Sequence, residues 1–161
     1  MAAAVPGAAG AAPRTTTPAQ KYAGLGSALM HGDGAAPTEA FTVVPSVKTL
    51  GGPKTDSTQI DTTTLDTLGG YETFVMGLLK PGTLDFEVVW DPADVTQSAV
   101  RADFASRTLR NWQIVWPDVG STTFSFAAYV KSWETAAAPN TDMTMKMVLQ
   151  LSGPITESTG P

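Results

Sequence analysis

The chain has 161 residues, 42% of them apolar and 16% charged, with a net charge of −5 and no cysteine. This length and apolar content suit one domain with a real core, and the charge is too low for a chain disordered throughout. The acidic balance argues against tight nucleic-acid binding, the missing cysteine removes disulfides and thiolate metal sites, and no apolar run reaches the ~20 residues of a membrane span.

Residues 1–20 are Ala, Gly, Pro and Thr with one charge, Arg14. They carry too little large apolar surface to offset ordering entropy, so a flexible arm is expected. They also lack the basic start and unbroken apolar run of a secretory signal, which points to synthesis in the cytoplasm. The main domain is expected over residues 21–155. His31-Gly32-Asp33-Gly34 reads as a turn, with a strand on each side and Phe41-Thr42-Val43-Val44 as the second strand. Val47 to Leu50 is a short strand closed by Gly51-Gly52-Pro53. A strand near Thr58–Asp61 follows, then a long loop to Lys80. That loop holds Tyr71, Phe74, Val75, Met76, Leu78 and Leu79, too apolar for a free linker. Such a segment needs a surface to bury against, and another subunit would supply one.

Pro81-Gly82 opens an alternating strand with Leu84, Phe86, Val88 and Trp90 on one face. Asp91 reads as a helix cap and Pro92 as the first helical residue, so one flanking helix is expected over about 92–106. Stepping ~100° per residue puts Val95, Ala99 and Ala102 on one face and Ala93, Val100 and Phe104 on the opposite one. Thr96 and Asp103 divide the faces on one side, with Asp94, Gln97, Ser98 and Arg101 on the other. Two apolar stripes suit a helix packed on its own core and also on a neighbour. Trp112, Ile114 and Trp116 then alternate, Pro117-Asp118-Val119-Gly120 forms a turn, and Phe124, Phe126, Ala128 and Val130 answer on the returning strand. The final strand alternates Met143, Met145, Met147, Leu149 and Leu151, and residues 156–161 read as a frayed tail. The expected fold is mainly β, a sandwich or half-barrel with one flanking helix.

No catalytic constellation emerges. His31 is the only histidine and reads as a turn residue rather than a metal ligand or base. Asp85 and Glu87 share a strand face about 7 Å apart, a spacing a glycosidase could use but also ordinary for a solvated strand. Asp56, Asp61 and Asp66 match no calcium loop, and Gly51-Gly52-Pro53-Lys54-Thr55 lacks the spacing and helix of a phosphate loop. Trp90, Trp112, Trp116, Phe124 and Phe126 are better read as core than as a base-stacking platform. No catalytic, metal or cofactor residue is assigned, and the chain is read as a non-enzyme without cofactors.

Several strings, in order, resemble phage tail tube proteins of long, flexible-tailed viruses. They are Val47-Lys48-Thr49-Leu50-Gly51-Gly52-Pro53, Ile60-Asp61-Thr62-Thr63-Thr64-Leu65-Asp66, and Pro81-Gly82 before Phe86-Glu87-Val88. Trp90-Asp91-Pro92-Ala93-Asp94, Ala102-Asp103-Phe104 and Arg110-Asn111-Trp112-Gln113-Ile114-Val115-Trp116-Pro117-Asp118 follow. Phe124-Ser125-Phe126-Ala127-Ala128-Tyr129-Val130 and Leu149-Gln150-Leu151-Ser152-Gly153 complete the set, which covers roughly residues 25 to 155. The first twenty residues match no motif of the family, and the immunoglobulin-like C-terminal domain of some members has no counterpart in the sequence.

The resemblance implies a tail-tube-like β-sandwich, six-membered rings and a hollow stack through which the genome leaves the virion. It implies tape measure, tail terminator and baseplate or initiator proteins as partners, and passing DNA without sequence-specific binding. It makes Tyr71 to Leu79 similar to a loop that bridges rings. The expected inter-subunit contacts are Tyr71, Phe74, Met76, Leu78, Leu79, Val95, Ala99 and Ala102. The competing readings are a ring-forming tail component that does not polymerise, a secretion-tube ring, and a monomeric carbohydrate-binding module using Trp133 or Trp116.

Overall fold

The computed structural model describes residues 24–64 and 68–160, so the arm expected over residues 1–20 lies outside the described residues. The order of elements is β1 (Ala28–Gly32), β2 (Phe41–Val43), β3 (Val47–Leu50), β4 (Thr55–Asp61), a short 3-10 turn (Leu68–Gly70), β5 (Phe74–Pro81) and β6 (Thr83–Val89). Then follow α1 (Val95–Ser106), β7 (Arg110–Val115), β8 (Thr123–Ala136), β9 (Thr144–Leu151) and β10 (Thr156–Ser158).

The main sheet runs β2-β1-β7-β8-β9-β6-β3, and β10 pairs with β8. All of these pairings are antiparallel. The two ends of that path are neighbours in sequence, since only residues 44–46 separate β2 from β3. Val44 donates to Leu29 O at 2.8 Å and Ser46 O accepts from Val89 N at 2.9 Å, so both pairings continue into the link. Ser46 turns the corner after Pro45 with a left-handed φ of 58°. A seven-strand path whose ends are tied by three residues must curl, and the sheet becomes a half-barrel.

Strand alternation fills that barrel. Leu84, Phe86 and Val88 of β6 are buried, as are Trp112 and Ile114 of β7, Phe126, Ala128 and Val130 of β8, and Met145, Met147, Leu149 and Leu151 of β9. One face of each strand is therefore removed from water, at roughly 1.5–3 kcal/mol for each large side chain. β8 is long enough to serve three neighbours, β10 among them at Thr123 to Ser125. Its first half pairs with β7 and its second half with β9, with a register shift between Val130 and Ser132. The hairpin of β1 and β2 forms as expected, as do β3 and the β7–β8 pair.

Four expectations are corrected. The helix begins at Val95 rather than Pro92, and its cap is Asp94, whose carboxylate accepts from Gln97 N at 2.7 Å. Asp91 instead accepts from Ala93 N at 2.9 Å and closes a turn to Asp94, so Pro92 sits in that turn. The long loop to Lys80 contains β5, which pairs with β4 as a separate two-stranded sheet. The tail is not frayed over Thr156–Ser158, which pairs with Thr123 to Ser125 of β8. His31 lies within β1 and is buried, where a turn residue was expected.

Candidate functional site

Two surfaces draw attention, and each is built by a different part of the sequence. The first is the β4–β5 hairpin. Seven residues of β4 at about 3.3 Å each give an arm on the order of 20 Å long. Its base is held by Gly82 N donating to Lys54 O at 2.9 Å and by the Gln150 amide donating to Gly82 O at 3.0 Å. Toward the tip, Thr62 N donates to Thr73 O at 2.9 Å, Thr73 N to Thr63 Oγ1 at 3.0 Å, and Thr63 N to Asp61 Oδ1 at 2.8 Å. The register slips between Ser57 and Gln59. Gly77 faces that bulge, where an added Cβ would lie 3.2 Å from Thr58 O, so a glycine suits the close approach.

Among the described residues, none covers either face of this hairpin. Tyr71, Leu78 and Leu79 are 79%, 84% and 74% exposed, and Ile60, Phe74, Val75 and Met76 are exposed too. Seven large apolar side chains on one two-stranded arm form a patch of the sort that marks an interaction surface. Phe74, Met76, Leu78 and Leu79 are thus brought onto strand β5, and Tyr71 lies in the loop that leads into it.

The second surface is the outer side of α1. Val95, Ala99 and Ala102 line a groove of about 450 Å³ together with His31, Asp33, Asp103 and Arg110. Val95 is 81% exposed, so this face is not part of the core. The core side is the one carrying Val100, but its other members are Gln97 and Asp103 rather than Ala93 and Phe104. Gln97 accepts from Asp91 N at 3.1 Å and donates to Val89 O at 3.0 Å, stitching the helix start to the end of β6.

Asp103 has two partners. His31 Nε2 donates to its Oδ2 at 2.7 Å, and Arg110 Nε donates to its Oδ1 at 3.0 Å. Arg110 also donates through Nη1 to Asp33 O at 2.6 Å. Gly34, with φ of 73°, faces that Nη1, and any Cβ there would collide with the guanidinium. The His31 ring packs edge-on against Trp112 with centroids 4.9 Å apart. A His–Asp pair could orient a base, yet here the carboxylate's second partner is an arginine, so the cluster ties β1, α1 and β7 together. No local pattern signals the cluster, because Asp103 and Arg110 lie 72 and 79 positions from His31 on other elements.

The remaining candidates are placed simply. Asp85 and Glu87 lie half-buried on the outward side of β6, and Glu87 stands opposite Lys146 of β9. Gly51-Gly52-Pro53-Lys54 leads into strand β4, so no helix amides converge on it. Among the described residues no three His, Asp or Glu side chains are grouped to hold a metal ion. Trp112, Phe126 and their neighbours form core, Trp116 packs against Phe124 at 6.5 Å, and Trp133 is partly exposed.

Residues 30–157 match the family model described as phage tail tube protein. No curated protein matches the chain by sequence. Among solved structures, the chain is similar to the SPP1 tail tube, with a TM-score of 0.63 and 14% identity over 83% of this chain and 76% of that one. It is similar to the tail of an empty gene transfer agent particle refined with C6 symmetry, with a TM-score of 0.65 and 17% identity over 81% and 96%. A chain of the anti-feeding prophage baseplate gives a TM-score of 0.67 and 12% identity over 89% and 97%. At these identities the likeness is one of fold.

Proposed function

Because the chain belongs to the phage tail tube protein family, a structural family of the virion tail, we propose that its copies close into six-membered rings that stack into a hollow conduit for the genome. The observation that carries the stacking is the β4–β5 hairpin, which leaves Tyr71, Phe74, Met76, Leu78 and Leu79 in water in the isolated subunit. Burying Leu78 and Leu79 alone against another ring would contribute on the order of 3–6 kcal/mol before ordering costs. The C6 symmetry of the similar gene transfer agent tail supports the count of six.

Ring closure would join sheet edges. The second half of β8 has β9 on one side, while its other side is free of β7, whose pairing ends at Ala128. A neighbour's strand there would satisfy backbone groups that an isolated subunit leaves to water. The net charge of −5 favours passage of DNA over its capture. The tube would start on baseplate or initiator proteins, enclose a tape measure and end at a terminator, and it would carry no catalytic chemistry. Val95, Ala99 and Ala102 would serve as a second contact face on α1. Electron microscopy of the purified protein tests the reading. Hollow six-fold tubes are the expected result, and a chain that stays monomeric at every concentration, with initiator proteins present, would defeat it.

A further inference from the structure

The end of the hairpin and the end of the helix carry opposite charge. Among the described residues from Ser57 to Leu79 there is no Lys, Arg or His, and the acids are Asp61 and Glu72. Asp61 stands directly opposite Phe74 in the β4–β5 register, so an acid and an aromatic ring share one face of the arm. Glu72 is exposed beside Tyr71, itself 79% exposed. The Thr63 hydroxyl and amide hold the Asp61 carboxyl below its ordinary value, which keeps it anionic. Elsewhere on the molecule, Phe104, Tyr129, Arg107 and Lys131 line a groove of about 460 Å³ between the end of α1 and the middle of β8. Phe104 and Tyr129 are 37% and 40% exposed, an apolar floor open to solvent. No acid lines the groove, and neither Arg107 nor Lys131 makes an ion pair among the described residues.

We propose that the acidic, aromatic tip of one copy's β4–β5 hairpin docks into the cationic, aromatic groove of a second copy, with Asp61 and Glu72 meeting Arg107 and Lys131. The proposal rests on the tube reading and adds which surface receives the arm. Tip and groove are different patches, so the contact is heterologous. Each copy offers its tip to one neighbour and its groove to another, and the contact propagates instead of stopping at a pair. Tyr71 and Phe74 would bury against Phe104 and Tyr129, with cation–π contacts available to Arg107 and Lys131. The charges fix register and reject a groove–groove or tip–tip encounter.

The cysteine-free sequence makes the test clean. The full-length Glu72→Cys/Lys131→Cys variant, assembled and treated with a short bis-maleimide, should give a ladder of covalently linked copies on a denaturing gel. Assembled tubes with monomer bands alone, or links confined within single chains, would overturn the contact while leaving the tube reading intact. An unmodified chain that never assembles would overturn both. Charge reversal checks the same point without a cross-linker. Arg107→Glu with Lys131→Glu should raise the concentration needed for assembly about tenfold or more, while the melting temperature falls by no more than a few degrees, because both side chains are exposed and the added cost is that of a carboxylate at the C-terminal end of α1. Adding Asp61→Lys and Glu72→Lys should restore it. Wild-type assembly by the reversed groove would contradict the proposal.

Discussion

Asp103 is the residue on which the helix and two strands depend most. Its carboxylate answers both His31 and Arg110, and the side chains of His31 and Asp103 are only 8% and 6% exposed. Removing one member of a buried ionic cluster strands the others, at a cost of about 3–5 kcal/mol. Asp103→Ala should therefore lower stability by roughly 3 kcal/mol in urea unfolding, and Gln97→Ala by about 1–2 kcal/mol. A helical wheel could not find these roles, since it assigned both residues to the polar flanks between apolar stripes. Their partners are set by tertiary neighbours, Val89 and Asp91 for Gln97 and His31 for Asp103. Turn carboxylates give a pH dependence of known sign. Asp33 is held below its ordinary value of 3.8 chiefly by the Ala35 amide and then the Ala40 amide. The Thr122 hydroxyl, followed by its amide, does the same for Asp118. A depressed folded value means that the stabilisation is complete above the unfolded value near 3.8 and is lost as pH falls through the lower folded value. The melting temperature should hold level from neutral pH down to about 5 and decline below 4, and Asp118→Asn should flatten that decline.

Elements with a buried face were legible, and the element without one was not. β6, β7, β8 and β9 alternate because one side of each lines the barrel, and Leu84, Trp112, Phe126 and Met147 mark that side unambiguously. β5 runs Phe74-Val75-Met76-Gly77-Leu78-Leu79 with neither side covered, so no period-two signal exists to read. β10 is three residues long and fully exposed, too short to carry a pattern. The sequence places the helix start three residues early, because Asp91-Pro92 and Asp94 both satisfy the rules for a helix start and only the turn closed by Asp91 separates them. The exposed arm makes a contrast that can be measured. Leu78→Ser with Leu79→Ser should leave the monomer's melting temperature within a few degrees of wild type and strongly impair assembly. Val100→Ala, at a fully buried site on α1, should do the reverse, losing about 2 kcal/mol of subunit stability while tubes still form at low temperature. If the leucine pair destabilises the monomer more than Val100→Ala does, the hairpin belongs to the subunit core.

At the scale of the molecule, the half-barrel encloses its own core, while the edge of β8 beyond Ala128 and the hairpin stay open. Strands β2 and β3 are joined through residues 44–46, and both faces of that closure are hydrogen-bonded. The β4–β5 arm instead leaves the barrel with its apolar residues uncovered, which is intelligible in a protein whose working form is a polymer. The family was legible from the order of short strings along the chain, each a joint of the fold: the Val47–Leu50 strand, the Asp91-Pro92 turn, the Trp112–Trp116 strand and the final Leu149-Gln150-Leu151. The number of copies in a ring and the way rings meet are properties of surfaces rather than of any one string, and no periodicity encodes them. Six-fold closure and stacking are decided by imaging the purified full-length protein over a range of concentrations, alone and with tail initiator proteins. Hollow tubes built from six-fold rings are the result predicted, whereas a population that remains monomeric under all of these conditions would contradict the account.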